Sequence, residues 1–248
     1  MPPPTTALAT ASATASVTAL VTGATQGIGR ATAFALGRAG HRVGVCARTP
    51  QAVERLVGEL RAAGIEAAGH AGDVADPGQV DAVVRHVADA LGEIGVLINN
   101  AGVLIARPIA ELTLDDWDTT MATNLRGLFL MTRAVLPPMR ASGRGDIVNV
   151  ASLSARSGFA GGSAYAASKH AVLGFGRALM LELRKEGIRV ITVCPGSVDT
   201  GMLRNQPLLR SDPARILQPE DVADTILQAL RLPARAMVSE LDIRPSNP

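Results

Sequence analysis

The chain has 248 residues, of which 47% are apolar and 19% charged, with 24 basic against 22 acidic side chains and a formal net charge of +2. That length bounds one domain or two small ones with ample room for a core. The near balance of charge gives no electrostatic reason to invoke nucleic acid or an anionic membrane as partner. Aromatic residues make up 2%, too few for base-stacking platforms, and no stretch approaches the ~18 consecutive apolar residues of a membrane span.

Residues 1–15 are rich in Pro, Thr and Ala and lack the basic start and continuous apolar run of a signal peptide. They read as a disordered N-terminal tail, leaving residues 16–248 as a single domain. Beyond the tail the chain alternates two periodicities. Val17–Val21 predicts a strand and Arg30–Ala39 a helix stopped by Gly40. Arg42–Ala47 is again a strand and Ala52–Ala63 a helix ending at Gly64. Glu66–Ala71 is a weaker strand, followed by an amphipathic helix over Gln79–Leu91. Val96–Asn99 is a strand, and one long helical region runs from about Leu114 to Arg140. Asp146–Ala151, Arg189–Val193 and Met237–Ile243 read as the later strands, with helices over Ser163–Lys185 and Pro219–Leu230. Alternating buried strands and helices argue an α/β fold: a doubly wound Rossmann-type domain with a mostly parallel seven-stranded sheet covered by helices on both faces. Cys46 and Cys194 fall inside apolar strand-like runs, which suits free thiols in a reducing cytoplasm better than a disulfide framework.

The first strand runs into Thr22-Gly23-Ala24-Thr25-Gln26-Gly27-Ile28-Gly29 and then a helix. Strand, glycine turn and helix together point to a dinucleotide phosphate site. Gly23 permits the tight turn, Gly27 allows close approach of the ligand, and Gly29 allows close packing of the helix. The helix N-terminus offers free N–H groups and a positive dipole end to a pyrophosphate. An NAD site usually ends the second strand with an acid that binds the ribose 2′-OH. Here that strand ends Cys46-Ala47-Arg48-Thr49, and an Arg without an adjacent carboxylate suits a 2′-phosphate, so the expected cofactor is NADP(H).

Tyr165 is the only tyrosine, and Lys169 follows it by four residues, which on a helix places both on one face. A cation beside a phenol favours phenolate and draws its pKa down from ~10, giving a general acid/base for an alcohol or carbonyl oxygen.

Asn99-Asn100-Ala101-Gly102 follows the fourth strand, Asn124 lies in the long helical region, and Ser152 ends the fifth strand. Pro195-Gly196-Ser197-Val198-Asp199-Thr200 follows the sixth. With the glycine turn and the Tyr–Lys pair, this order resembles the short-chain dehydrogenase/reductase family over about residues 16 to 243. The resemblance implies a catalytic tetrad of Asn124, Ser152, Tyr165 and Lys169. Tyr165 would donate a proton to the carbonyl oxygen as hydride arrives from the nicotinamide, and Ser152 would hold the same oxygen. Lys169 would lower the phenol pKa and bind the nicotinamide ribose, and Asn124 would keep a water that links Lys169 to solvent. The resemblance also implies that Asp73 and Val74 contact the adenine, that Asn100 and Ala101 line the adenosine and ribose side, that Val198 and Thr200 hold the carboxamide, and that Gly102, Pro195 and Gly196 belong to the cofactor site. Thr25, Gln26, Ile28 and Thr49 complete the cofactor set from the two glycine-turn and second-strand motifs, and Tyr165 and Lys169 count in it as well. Gln26 stands where NADP-preferring relatives often carry a basic residue, and the ending Glu240-Leu241-Asp242-Ile243-Arg244-Pro245 replaces a glycine-containing segment common among relatives.

The implied activity is NADPH-dependent reduction of a ketone or aldehyde, reversible as alcohol oxidation. An NAD-dependent secondary-alcohol dehydrogenase and a non-catalytic NADP-binding sensor are the alternatives. Val172, Leu173, Phe175, Leu179, Met180 and Leu183 cover more than one face of their helix, and the resemblance implies a homodimer or homotetramer built on this helix and the one before it. The segment from Gly201 to about Leu217 lacks periodicity and reads as a mobile substrate lid. Val103, Leu104, Leu153, Phe159 and Met202 are expected to form an apolar substrate pocket, with Arg156 and Arg204 as candidates for a charged substrate group. His41, His70, His86 and His170 show no metal-ligand spacing.

Overall fold

The computed structural model describes residues 16–206 and 212–246. The expectation for residues 1–15 therefore lies outside the described residues, as does part of the segment after Gly201. The seven strands are β1 (Thr18–Thr22), β2 (Arg42–Ala47), β3 (Ala67–Ala71), β4 (Ile94–Asn99), β5 (Gly145–Val150), β6 (Ile188–Pro195) and β7 (Glu240–Ile243). They form one sheet in the order β3-β2-β1-β4-β5-β6-β7, and every pairing is parallel. The expected sheet was mostly parallel; even the last strand, β7, joins β6 in parallel register from Thr192↔Glu240 to Pro195↔Ile243. The order reverses between β1 and β4, the switch point at which such sheets bind ligands beyond the strand C-termini.

The helices are α1 (Gly27–Arg38), α2 (Pro50–Ala62), α3 (Pro77–Leu91), α4 (Leu114–Met121), α5 (Gly127–Ser142), α6 (Ser163–Leu183), a single turn α7 (Gly201–Arg204) and α8 (Pro219–Leu230). Their ends follow local chemistry. Pro occupies the first turn of α2, α3 and α8, where its missing N–H has no helical partner to lose. The Asp76 carboxylate accepts from the Gln79 N–H at 2.9 Å to cap α3, and Thr113 with Asp116 forms a reciprocal capping box on α4.

Alternation along each strand sends side chains to two apolar layers. Ala19 and Val21 of β1 pack with Leu36 of α1, Leu56 of α2 and Ile226 of α8 on one face. Leu20 of the same strand packs with Val83 of α3, Met131 of α5 and Leu183 of α6 on the other. Each fully buried aliphatic side chain contributes about 1.5–3 kcal/mol of transfer free energy, so this two-sided burial is what fixes register.

The long helix expected from Leu114 to Arg140 is interrupted. Residues Ala122–Arg126 form a π-helical turn between α4 and α5, one extra residue in the ladder that apolar spacing did not announce. Asn124 is buried in that turn.

Candidate active site

The glycine turn is shaped by its neighbours as much as by its own freedom. Gly23 has φ +61° and Gly27 φ +52°, values that L side chains rarely adopt. A Cβ on Gly27 would meet the Thr200 methyl at 2.9 Å, and one on Gly29 would meet the Gly23 carbonyl and, at 2.5 Å, the Asn100 amide. Asn100 donates from Nδ2 to the Thr22 carbonyl at 2.9 Å and the Gly23 carbonyl at 3.1 Å. The Thr22 hydroxyl accepts from the Asn100 and Ala101 backbone N–H groups at 3.0 Å each. Thr22, which sequence reasoning quoted only as part of the turn motif, thus clamps the turn after β1 to the end of β4.

A cavity of about 430 Å³ opens over this turn. Gly23, Thr25, Gln26, Gly27, Ile28, Arg48, Thr49, Asp73, Val74, Asn100, Ala101, Gly102 and Thr200 all line it. Gly29 lies beneath, packed on the turn itself. Arg48 is exposed at the rim and forms no ion pair among the described residues, while Asp73 is the one carboxylate among the described lining residues. Asp73 also caps its own turn, accepting from the Ala75 N–H at 2.9 Å. Asn99 does not face this cavity; its Nδ2 bridges Thr132 Oγ1 and Asn149 Oδ1 at 3.0 Å each, stabilising the sheet.

A second cavity of about 430 Å³ meets the first at Ile28, Thr200 and Met202. Ser152, Tyr165, Pro195, Gly196 and Val198 line it, with Leu104, Leu153 and Phe159 as apolar walls; Val103 belongs to the first cavity instead. Ser152 and Tyr165 are neighbours in this lining, where the Ser152 hydroxyl favours the phenolate, and the Ser152 hydroxyl accepts from the Ser154 N–H at 3.0 Å. The Phe159 ring stands 6.3 Å from that of Tyr165. Among the described lining residues there is no Asp, Glu, Lys, Arg or His.

Tyr165 and Lys169 share one buried face of α6, as the four-residue spacing required. The Lys169 Nζ lies 5.7 Å from the phenol ring centroid and donates to the Val150 carbonyl at 2.9 Å. Burial lowers its pKa from 10.5 to about 8, because the interior disfavours the ammonium. The chain's own groups do not by themselves depress the phenol pKa. Burial pushes Tyr165 above its ordinary 10, and the Ser152 hydroxyl opposes that only in part. The buried Lys169, itself driven toward neutrality, is not among the influences on the phenol.

Asn124 reaches the same neighbourhood from the π turn. Its Nδ2 donates to the Val103 carbonyl at 2.9 Å and to Ser168 Oγ at 3.0 Å, and its Oδ1 accepts from the Val103 N–H at 2.7 Å. Ser168 Oγ in turn donates to the Tyr165 carbonyl at 2.7 Å. Both amide protons of Asn124 are therefore committed to protein. Gly102 lies between Asn124 and Lys169, where a Cβ would stand 3.2 Å from Asn124 Oδ1 and 3.7 Å from Lys169 Nζ. Asn124 and Lys169 line neither of these two cavities directly. Ser168 was missed from sequence; a serine between Tyr165 and Lys169 on a buried helix face was the available signal.

Two candidate charges go elsewhere. Arg156 ends the turn after Ser152 and pairs with Glu240 at 2.6 Å and Asp242 at 3.1 Å, so it is not aimed at a substrate. Arg177 of α6 also holds Glu240, at 2.6 Å. Arg204 leans on Asp199 at 3.4 Å and lines neither cavity. His170 bonds the Ala166 carbonyl of its own helix at 2.8 Å. Of the expected lid, Gln206 donates to the Leu104 carbonyl at 2.8 Å, Leu217 bridges Val198, and residues 207–211 lie outside the described residues.

A doubly wound parallel sheet with a glycine cradle at its switch point and a Ser–Tyr–Lys cluster beside it defines a nucleotide-dependent oxidoreductase. The family model for short chain dehydrogenases matches residues 17–208. The 3-oxoacyl-(acyl-carrier-protein) reductase of Synechocystis sp. is 37% identical over 220 residues, 87% of this chain and 89% of that protein. The crystal structure of a single-substitution variant of actinorhodin polyketide ketoreductase with NADPH superposes with a TM-score of 0.86 at 38% identity, covering 93% of this chain and 96% of that one. A metagenomic short-chain oxidoreductase in complex with NADP gives a TM-score of 0.83 at 34% identity, covering 96% and 100%. The chain belongs to the short-chain dehydrogenase/reductase family, oxidoreductases of CH–OH groups that use nicotinamide dinucleotides.

Proposed function

We propose that this chain is an NADPH-dependent reductase of an uncharged ketone or aldehyde, reversible as an alcohol dehydrogenase, with Tyr165 as proton donor and acceptor. The observation that carries this reading is the junction of the two cavities. Ser152 and Tyr165 line an apolar chamber that shares Ile28, Thr200 and Met202 with the cavity over the glycine cradle.

The residues present fit NADP(H). The turn at Gly23–Gly29 and the start of α1 suit a pyrophosphate, and Arg48 with Thr49 suits a 2′-phosphate. Asp73 and Val74 would hold the adenine, Asn100, Ala101 and Gly102 the ribose side, and Val198 and Thr200 the carboxamide. When bound, the cofactor supplies the hydride. The chain's own residues do the rest. Ser152 donates to the carbonyl oxygen and Tyr165 delivers its proton to that oxygen as charge develops there. The raised phenol pKa keeps Tyr165 an acid at neutral pH, which suits reduction. Lys169, poised near pH 8, takes part in restoring the proton. Asn124 acts by fixing the Val103 backbone and, through Ser168, the first turn of α6.

The apolar lining favours a neutral substrate, since a carboxylate entering it would be desolvated without a cationic partner. Purified protein mixed with NADPH and a panel of carbonyl compounds tests the activity, with Tyr165→Phe as control. Within the panel, a keto ester should exceed its parent keto acid at least ~10-fold in kcat/KM, a difference of about 1.4 kcal/mol. Preference for the acid would remove the neutral-substrate reading, and turnover equal to the Tyr165→Phe control would favour a nucleotide-binding sensor.

A cytoplasmic homo-oligomer completes the reading. Cys46 and Cys194 are both free and buried, and no helix among the described residues is long and apolar enough to cross a membrane. Phe129 on α5 and Leu181 on α6 are exposed at 42% and 57%, apolar surface of the kind that a second copy covers. A monomer by size-exclusion chromatography with light scattering would overturn the assembly.

A further inference from the structure

The substrate chamber has one wall that a general apolar character does not explain. The chain holds four Phe, one Trp and one Tyr, and among the described lining residues of the two active-site cavities the aromatic ones are Phe159 and Tyr165 alone. A scarce kind of side chain is thus placed beside the proton donor, with ring centroids 6.3 Å apart and planes inclined at 59°.

The backbone that carries Phe159 is held at several points. The Gly162 N–H donates to the Phe159 carbonyl at 3.0 Å, closing a turn in which Gly161 has φ +80°. The Gly161 carbonyl accepts from the Arg107 N–H at 2.9 Å, and the Arg107 guanidinium pairs with Asp116 of α4 at 3.1 Å. The ring itself is seated on Gly162. A Cβ there would stand 2.6 Å from Phe159 Cε2 and nearer still to Cζ and Cε1. Gly162 has φ −101° and ψ 19°, a region that residues with side chains occupy at turns. What glycine supplies at this position is the space that the ring fills.

The other walls are of another kind. Leu104, Leu153, Met202 and Leu203 are aliphatic, and Met202, unbranched with three rotatable bonds, adapts to what lies against it. One fixed ring among adaptable aliphatic side chains suits a flat group, which gains an offset-stacked or edge-to-face contact that a saturated group of the same size does not.

We propose that Phe159 is the specificity-determining residue of this chamber and that the substrate is an aryl carbonyl compound, its ring packed on that of Phe159. This rests on the reading of the chamber as the carbonyl site of a reductase.

Isothermal titration of the NADP⁺-saturated protein measures the selection without turnover. The probes are acetophenone and cyclohexyl methyl ketone, alike in size and carbonyl group; the second is the more apolar, so hydrophobic transfer alone would favour it. Acetophenone is expected to bind the wild type at least threefold more tightly, within what aromatic pairing adds beyond buried area, and the preference to vanish in Phe159→Leu. Gly162→Ala, which keeps Phe159 in the chain but displaces its ring, should lower the preference as well. Unchanged NADP⁺ affinity shows that each variant folds. Equal binding of the two ketones by the wild type, binding of neither, or a preference that survives Phe159→Leu overturns the proposal. NADPH consumption with the same two ketones separates it from the reading on which it rests. Selective binding without turnover above the Tyr165→Phe control upholds the role of Phe159 and removes the reductase, whereas turnover without aryl preference removes the role of Phe159 and upholds the reductase.

Discussion

The two halves of the sheet hold their parts of the site by different means. On the β1–β3 side the cradle is made of backbone: two glycines at positive φ, a third that tolerates no Cβ, and the Thr22–Asn100 clamp that shapes them. On the β5–β7 side it is made of side chains held by polar contacts: Lys169 on the Val150 carbonyl, Asn124 on Ser168, Arg156 and Arg177 on Glu240. The glycines of a backbone cradle are damaged by adding atoms. A side-chain cluster can be damaged by removing them, and can be tuned by charge.

The largest effect should come from removing the acid. Tyr165→Phe is expected to lower kcat by on the order of 10³-fold, within the usual worth of a positioned general acid, while the dissociation constant for NADPH stays within a factor of a few. If NADPH binding falls in parallel with kcat, the two halves are not separable in this way.

Gly29→Ala tests the other half by addition. The new methyl would press on the Gly23 carbonyl and the Asn100 amide, and overpacking of this kind costs about 1–3 kcal/mol. NADPH affinity should drop about tenfold or more, and saturating cofactor should restore much of the wild-type kcat. A variant with normal affinity and depressed kcat would contradict the division.

Lys169 shows that the side-chain half carries a stability penalty. Its folded pKa, lowered from 10.5 to about 8, means the native state resists the ammonium that the unfolded chain accepts freely. The penalty is present in full below about pH 8 and is relieved as pH rises from there toward 10.5. At 1.36 kcal/mol per unit it is on the order of 3 kcal/mol, less about 1 for the Val150 hydrogen bond that a substitution removes. Lys169→Met should therefore be inactive yet more stable in urea at pH 7, with the advantage shrinking by pH 10. A less stable variant whose deficit ignores pH would refute this.

The unequal legibility of the two halves has the same origin. The cradle was readable because glycines at fixed offsets between a strand and a helix state a backbone requirement directly, and Arg48 at the end of β2 states a charge. The all-parallel sheet was nearly readable from alternating periodicities. The π turn was not, because one extra residue in a helix leaves apolar spacing almost unchanged, and Asn124 gave its position without its geometry. For Tyr165, spacing shows a neighbour but not burial, and burial is the largest influence that the chain itself exerts on the phenol. Arg156 was free in the sequence and is bound in the fold, since its partners lie more than eighty residues away on β7.

A smaller effect belongs to Arg48. Replacing it with Ala removes a charge-assisted partner for a 2′-phosphate, about 1.5–3 kcal/mol. KM should rise at least ~10-fold for NADPH and hardly at all for NADH. Equal changes for both cofactors would deny Arg48 that role.

The smallest effect is the most discriminating, because Glu240 lines neither cavity of the active site. It joins Arg156, at the end of the Ser152 turn, to Arg177 on the helix of Tyr165 and Lys169. Both arginine contacts hold its carboxyl below the usual carboxylate range, Arg177 foremost, so the link persists at neutral pH and loosens only as acid protonates it. These pairs are partly exposed, and the change in melting temperature for Glu240→Gln should be slight. Position is another matter. The Ser152 hydroxyl is what restrains the rise of the phenol pKa, so a looser Ser152 turn should let that pKa climb. The alkaline limb of kcat/KM for carbonyl reduction should move to higher pH in Glu240→Gln, alcohol oxidation at pH 7 should slow, and KM for NADPH should not change. A pH profile superimposable on that of the wild type would mean that the ion pairs at β7 brace the fold without reaching the chemistry.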